Sequence, residues 1–302
     1  MLAVVSLAVL LAPAVITSGN LEDSYQKLQE VVAAKDVAQV KVLAAQTCAL
    51  AREVISAPAP TDSDEKEAWA DHVKFAKDVE VYTEYSLYAT AAAQSAPDVK
   101  IDLIVTLEKQ NPKSKYLNDA YGLYFYALHQ SGAASKIPAV AEKALENFPE
   151  NDDVLGVLAE HAYSHKQTDR ALAYAKRLTA AVNKHGKPEG MAAGDWERKR
   201  STELASGYWI AGVIEAEKAS YFDADKELRA ALPLLTGSNE RKASALFYLG
   251  LANYQLGKMT MKKALLLEAV KFSQEAAAIQ GPLAQQAWHN AQVMRDEASR
   301  MR

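Results

Sequence analysis

The chain of 302 residues has one cysteine, no Asn-Gly or Asp-Gly pair and no long β-branched run. Each of these absences excludes something. A lone thiol, Cys48, closes no internal disulfide, so the fold is not a disulfide-stapled scaffold. Flanked by Thr47 and Ala49 in an apolar periodic segment, it reads as a small buried hydrophobe, with an intermolecular thiol as the other use. Without hairpin turns and β-branched runs, strands have little support. Positive charge is not in excess either. A formal net charge of -4 argues against a general nucleic-acid binder, which needs a positive stripe along the phosphate backbone. No Gly-x-Ser-x-Gly elbow and no glycine-rich phosphate loop is present, so neither an enzyme nor a cofactor is expected.

What the chain does have is alanine, in Ala33-Ala34, Ala44-Ala45, Ala91-Ala92-Ala93 and Ala276-Ala277-Ala278. Alanine is the best helix former, and its small side chain lets helices approach closely. Together with 49% apolar residues, this predicts an all-α protein with a substantial core.

An uncharged apolar stretch, Leu2 to Ile16, precedes Thr17-Ser18-Gly19-Asn20. It is short of the roughly 20 residues of a membrane span and suits the apolar core of a signal peptide over residues 1–19. Small residues at Ala12 and Ala14, or at Thr17 and Gly19, offer cleavage sites. No Lys or Arg precedes the stretch, which a start site placed too far downstream would explain; an uncleaved anchor or a buried first helix are the rival readings. The expectation is export to a periplasm or the medium, with membrane contact only through an uncleaved segment.

Turn residues divide the rest. The run Ala57-Pro58-Ala59-Pro60 and on to Asp64 cannot continue a helix, because proline lacks an amide donor and biases the residue before it toward extended geometry. It is expected as a linker, 57–64, between an N-terminal helical region, 21–56, and a longer array, 65–281. Asp62 or Ser63 is the expected N-cap of the helix that follows. Further breaks fall at Ser95 to Asp98, Asn111-Pro112, Ser131-Gly132, Phe148-Pro149, His165 to Thr168, Lys184 to Gly194, Pro233 to Ser238, Leu256-Gly257 and Gly281-Pro282. This spacing predicts short helices in antiparallel pairs, with an insertion at 184–200 and a last amphipathic helix at 282–302.

The stretch Gly207-Tyr208-Trp209-Ile210-Ala211-Gly212-Val213, followed by Tyr221-Phe222-Asp223-Ala224 and Leu228-x-x-Ala231, resembles a tetratricopeptide repeat. That family places small residues at positions 8, 20 and 27 of a 34-residue unit, where helices meet. In this frame position 8 falls on Tyr88, Phe125, Ala159, Gly212 and Gly250. Pro112 and Pro149 fall on the closing position 32, and Gly132 and Gly257 fall on the turn at position 15. Tyr88 and Phe125 are bulkier than the family pattern, and Ile137 replaces an alanine. In the last unit the second helix is expected to be shifted by two residues, with the small residue at Ala264 where the frame expects Lys262. The resemblance implies a right-handed superhelical solenoid of helix pairs, closed by a capping helix.

It also implies a concave binding face built from the first helix of each pair. Carried over, that face comprises Tyr82, Tyr85, Asp119, Tyr126, His129, Gln130, Asp153, Glu160, Tyr163, Trp209, Glu217, Phe247, Tyr254 and Gln255. The set is aromatic and acidic, and no Lys or Arg falls on these positions. Rings and carboxylates together suit a protein or extended peptide that is basic or contains proline. Packing of the same rings between repeats is the structural alternative, and a self-associating envelope component is the alternative function.

Two further clusters carry chemistry. His161 and His165 lie one helical turn apart beside Glu160, as in many zinc sites, but no third ligand lies at a motif spacing, and a histidine at a helix end is favoured anyway. No metal is expected there. The run Arg198-Lys199-Arg200 reads as a solvated helix face with Glu197 and Glu203 at pairing distance.

Overall fold

The computed structural model describes residues 19–188 and 191–301. Among them the regular elements are thirteen α-helices and two 3-10 turns, with no strand. The apolar stretch Leu2 to Ile16 lies outside the described residues. No described helix is long and apolar enough to cross a membrane. The chain divides into two compact units, Met1–Gly132 and Ala133–Arg302.

In the first unit α1 (Gly19–Ala33), α2 (Val37–Ser56), α3 (Ser63–Ala93), α4 (Pro97–Gln110) and α5 (Lys115–Gln130) each pack on the next, and α3 also touches α1 and α5. Caps set the starts. The carboxylates of Asp36 and Asp62 accept from the amides of Gln39 and Asp64, Pro97 occupies the first turn of α4, and the Ser114 hydroxyl accepts from the Tyr116 amide. The proline-rich segment is non-helical over 57–62. It is a connector inside this unit, since Ala51 and Val54 of α2 close on Ala76 and Val79 of α3, with Leu21 of α1 in the same cluster. α3 is one helix that begins well before the frame position at Val81.

The second unit opens with a 3-10 turn, Ala134–Lys136, and α6 (Ile137–Asn147). Then follow α7 (Asp152–Ser164), α8 (Thr168–Lys184), α9 (Ala193–Glu217), α10 (Tyr221–Ala231), α11 (Asn239–Thr260), α12 (Lys263–Ala278) and α13 (Ala284–Arg300). Helices α7, α9 and α11 lie side by side, α11 also touches α13, and α8, α10 and α12 each pack on the two helices adjacent in sequence. The apolar core runs between them, through Ala171 and Ala175 of α8, Ile210 and Ile214 of α9, Leu228 of α10 and Leu246 and Leu249 of α11.

A left-handed residue closes α1, α5, α7, α9 and α11: Lys35, Gly132, Lys166, Ala219 and Met261, with φ between 54° and 76°. After four of them the next amide reaches the carbonyl five residues back, as in Asp36 to Val31 (3.0 Å), Gln167 to Ala162 (2.8 Å), Ser220 to Glu215 (2.8 Å) and Lys262 to Gly257 (3.0 Å). That bond satisfies a helix-end carbonyl. The turn expected at Leu256-Gly257 is not there. α11 continues one further helical turn to Thr260, and α12 starts at Lys263. Gly257 instead lies in the crossing of α11 with α12, where an added Cβ would meet Leu266 Cδ1 at 2.1 Å. Helix packing, not turn geometry, accounts for that glycine.

Candidate functional site

In the first unit the expected face carries a chain of rings. Tyr25 of α1 meets Tyr82 of α3 edge-on at 5.1 Å, Tyr82 meets Tyr85 at 6.2 Å, Tyr85 meets Tyr116 of α5 at 5.6 Å, and Tyr116 stacks on Tyr88 at 5.8 Å. Tyr82 and Tyr88 are half-buried, while Asp119, Tyr126, His129 and Gln130 are exposed. The Gln130 amide donates to Tyr126 Oη at 2.5 Å. Phe125 is buried, stacked on Tyr121 and Tyr124.

In the second unit Glu160, Tyr163 and Trp209 come together, and helices α7, α9 and α11 build the place. Tyr163 meets the Trp209 ring edge-on at 5.0 Å, and Trp209 Nε1 donates to Ser244 Oγ at 3.3 Å. Arg241 of α11 holds its guanidinium 4.6 Å from the Trp209 ring centroid and pairs with both oxygens of Glu160, at 2.8 and 2.9 Å. Glu160 also accepts from the Ser206 hydroxyl. Glu160, Tyr163, Trp209, Arg241 and Ser244, with Ser238, Glu240, Tyr248 and the α12–α13 connection Ile279–Leu283, line a cavity of about 640 Å³. Burial, with Glu217 nearby, raises the Tyr163 phenol above its ordinary pKa, so it stays a neutral donor.

The remaining positions are pinned elsewhere. Trp209 and Phe247 are only 8% exposed. Their rings are therefore mostly core, and an alanine at Trp209 is a stability change as much as a surface one. Glu217 accepts from Tyr248 Oη at 2.9 Å, Tyr254 Oη donates to Glu297 at 2.7 Å, and Gln255 is half-buried. Asp153 is not a bare carboxylate: Lys199 Nζ lies 2.7 Å from it, 3.5 Å from Asp152 and 3.6 Å from Glu203.

Two corrections follow for the charge pattern. A cation does reach the expected acidic face, because α9 and α11 begin several residues before the frame and so bring Lys199 and Arg241 to it. Lys199 is also not a solvated member of its basic run. It is half-buried among three carboxylates, whereas Arg198 pairs with Asp195 and Arg200 bonds Asn183 at 3.2 Å. Burial works against the Lys199 charge, but Asp153, Glu203 and Asp152 together hold its pKa above the ordinary value. Burial pushes Glu203 up to about 9, and its Oε2 is buried without a hydrogen-bond partner. Of the expected insertion, 185–188 and 191–192 are non-helical, 189–190 lie outside the described residues, and α9 takes up the part from Ala193 on.

His161 and His165 have ring centroids 4.1 Å apart, and His165 Nδ1 lies 2.9 Å from the His161 carbonyl oxygen. Among the described residues no group of three or more metal-ligating side chains converges. The pair sits at the end of α7, where histidine caps backbone carbonyls.

Sequence reasoning missed Arg241, Ser244 and Tyr248. The N-cap at Ser238, whose hydroxyl accepts from the Arg241 amide at 3.2 Å, was legible as a start signal that places Arg241 in the first turn of α11. The chain matches no protein-family model, and no curated protein matches it.

Proposed function

We propose that this chain is an exported, non-catalytic scaffold of tetratricopeptide type that holds an extended polypeptide, and that the cavity of its second unit is where it does so. The observation that carries the reading is the cavity itself: about 640 Å³, walled by three neighbouring helices and the connection at 279–283, with rings, one ion pair and serine hydroxyls converging on it. A mixed aromatic and polar lining offers flat faces for side chains and donors and acceptors for a peptide backbone, the combination used to grip extended segments. Export rests on the apolar stretch Leu2 to Ile16, and the superhelical reading on the neighbouring helix pairs.

A photo-crosslinking residue at the exposed cavity-lining Gln280 tests this in the native host. Adducts that map to one extended segment of another polypeptide, and that disappear with Tyr163→Ala, support the scaffold. Adducts only with a second copy of the chain support the self-associating alternative, which the exposed Phe222, Met261 and Trp288 side chains favour. No adduct from Gln280, with a normal thermal transition, overturns the cavity as the site.

A further inference from the structure

The ion pair in the cavity has an unusual character: the protein's own arginine sits as a bound arginine would. Its guanidinium lies over the Trp209 ring at 4.6 Å, and one nitrogen meets both oxygens of Glu160. An aromatic face and a carboxylate at right distances are what a protein uses to recognise a guanidinium. Here both are built independently of Arg241. Trp209 is fixed by Tyr163 and by the Ser244 hydroxyl, and Glu160 is fixed by the Ser206 hydroxyl. The cation can leave, because about a third of each partner is exposed (32% for Arg241 and 39% for Glu160). Exposed or partly exposed pairs of this kind contribute little net stability. The charge around them also favours an added cation: Glu160 and Glu240 line the cavity against Arg241 alone, and the cavity-lining Tyr248 donates to a further carboxylate, Glu217.

We infer that Arg241 is a placeholder in an arginine-recognition slot, displaced when an arginine of the bound polypeptide takes the Trp209 face and the Glu160 carboxylate. This rests on the polypeptide-binding reading and adds the class of residue recognised and an internal competitor that sets the affinity. While Arg241 occupies the slot, the free energy of its own contacts is subtracted from that of any incoming arginine, so binding by the wild-type chain is weakened and selective.

The test is calorimetric titration of the full-length chain with acetyl-Gly-Arg-Gly-amide and its Lys and Glu analogues. The wild type is expected to prefer the Arg peptide. Arg241→Gln is expected to bind that peptide more tightly by up to about 5-fold, a change of up to about 1 kcal/mol. Adding Glu160→Gln to it is expected to remove the gain. Arg241→Lys, a milder change, is expected to fall between wild type and Arg241→Gln, and it serves as the reading if Arg241→Gln does not fold. Unchanged or weaker Arg-peptide binding by the variants overturns the placeholder, as does a preference for the Glu peptide that vanishes with Arg241, which would make Arg241 an anion anchor. Failure of both this titration and the Gln280 crosslink removes the scaffold reading too. A positive crosslink with no gain in the Arg241 variants removes only the placeholder.

Discussion

Gly257 of α11 and Leu266 of α12 meet where their helices cross, so closely that a β-carbon at 257 would lie 2.1 Å from Leu266 Cδ1 and 3.1 Å from its backbone nitrogen. The backbone atom cannot swing aside. Gly257→Ala is therefore expected to lower stability by about 1–2 kcal/mol, overpacking outweighing the gain in helix propensity. Gly156→Ala in α7 is the control: the nearest atom is Leu178 Cδ2 at 3.9 Å, an ordinary contact, so it should stabilise by up to about 1 kcal/mol. Chemical denaturation of both variants checks the pair, and equal effects would refute the crossing argument.

Met261 adopts φ 54° with its side chain 75% exposed. It gives up little apolar burial when removed, and a non-glycine residue in the left-handed region costs about 1–2 kcal/mol. Met261→Gly is expected to raise stability by about 0.5–1 kcal/mol, read as a higher melting temperature. A lower one would mean that the methionine makes contacts worth more than the strain.

Glu203 predicts a pH dependence. Burial holds its folded pKa near 9, against 4.5 when exposed, so the folded state prefers the protonated acid. Its contribution is full below about pH 4.5 and is lost as pH rises through about 9. Lys199 is held up beyond its ordinary 10.5 and stays charged across that window. Wild-type stability should thus fall between pH 5 and 9 by up to about 5 kcal/mol more than that of Glu203→Gln. Parallel profiles from denaturation midpoints at several pH values would show that Glu203 is ionised throughout.

Two members of the expected binding face should separate in their effect on stability. Tyr126 is 60% exposed and Trp209 is 8% exposed. Tyr126→Ala is expected to change stability by less than about 0.5 kcal/mol, and Trp209→Ala to cost about 3–5 kcal/mol through the cavity it opens. Thermal melts compare them directly. For this reason Tyr163→Ala, at a half-buried ring, is the cleaner probe of binding.

Much of the architecture was readable from composition and punctuation. Alanine runs and the lack of strand formers indicate helices, and the breaks at Asn111-Pro112, Ser131-Gly132 and Phe148-Pro149 coincide with observed helix ends, because proline and a left-handed glycine end helices for local reasons. The turns at Lys35, Ala219 and Met261 were not readable as breaks, since these residues carry no intrinsic preference for positive φ. Gly257 misled for the opposite reason, as a glycine kept for contact looks the same in sequence as one kept for a turn.

The sequence by itself determined that the chain is helical, where most helices stop, and that aromatic and acidic residues recur on the first helices of successive pairs, because propensity, capping and periodicity act over a few residues. Only the tertiary structure decided which of those residues meet. Arg241 reaches Glu160 across 81 positions, and Lys199 reaches Asp153 across 46. Such partners depend on how far each helix extends before its pair begins and on how closely two helices cross, which are set by packing between distant segments and not by any local pattern.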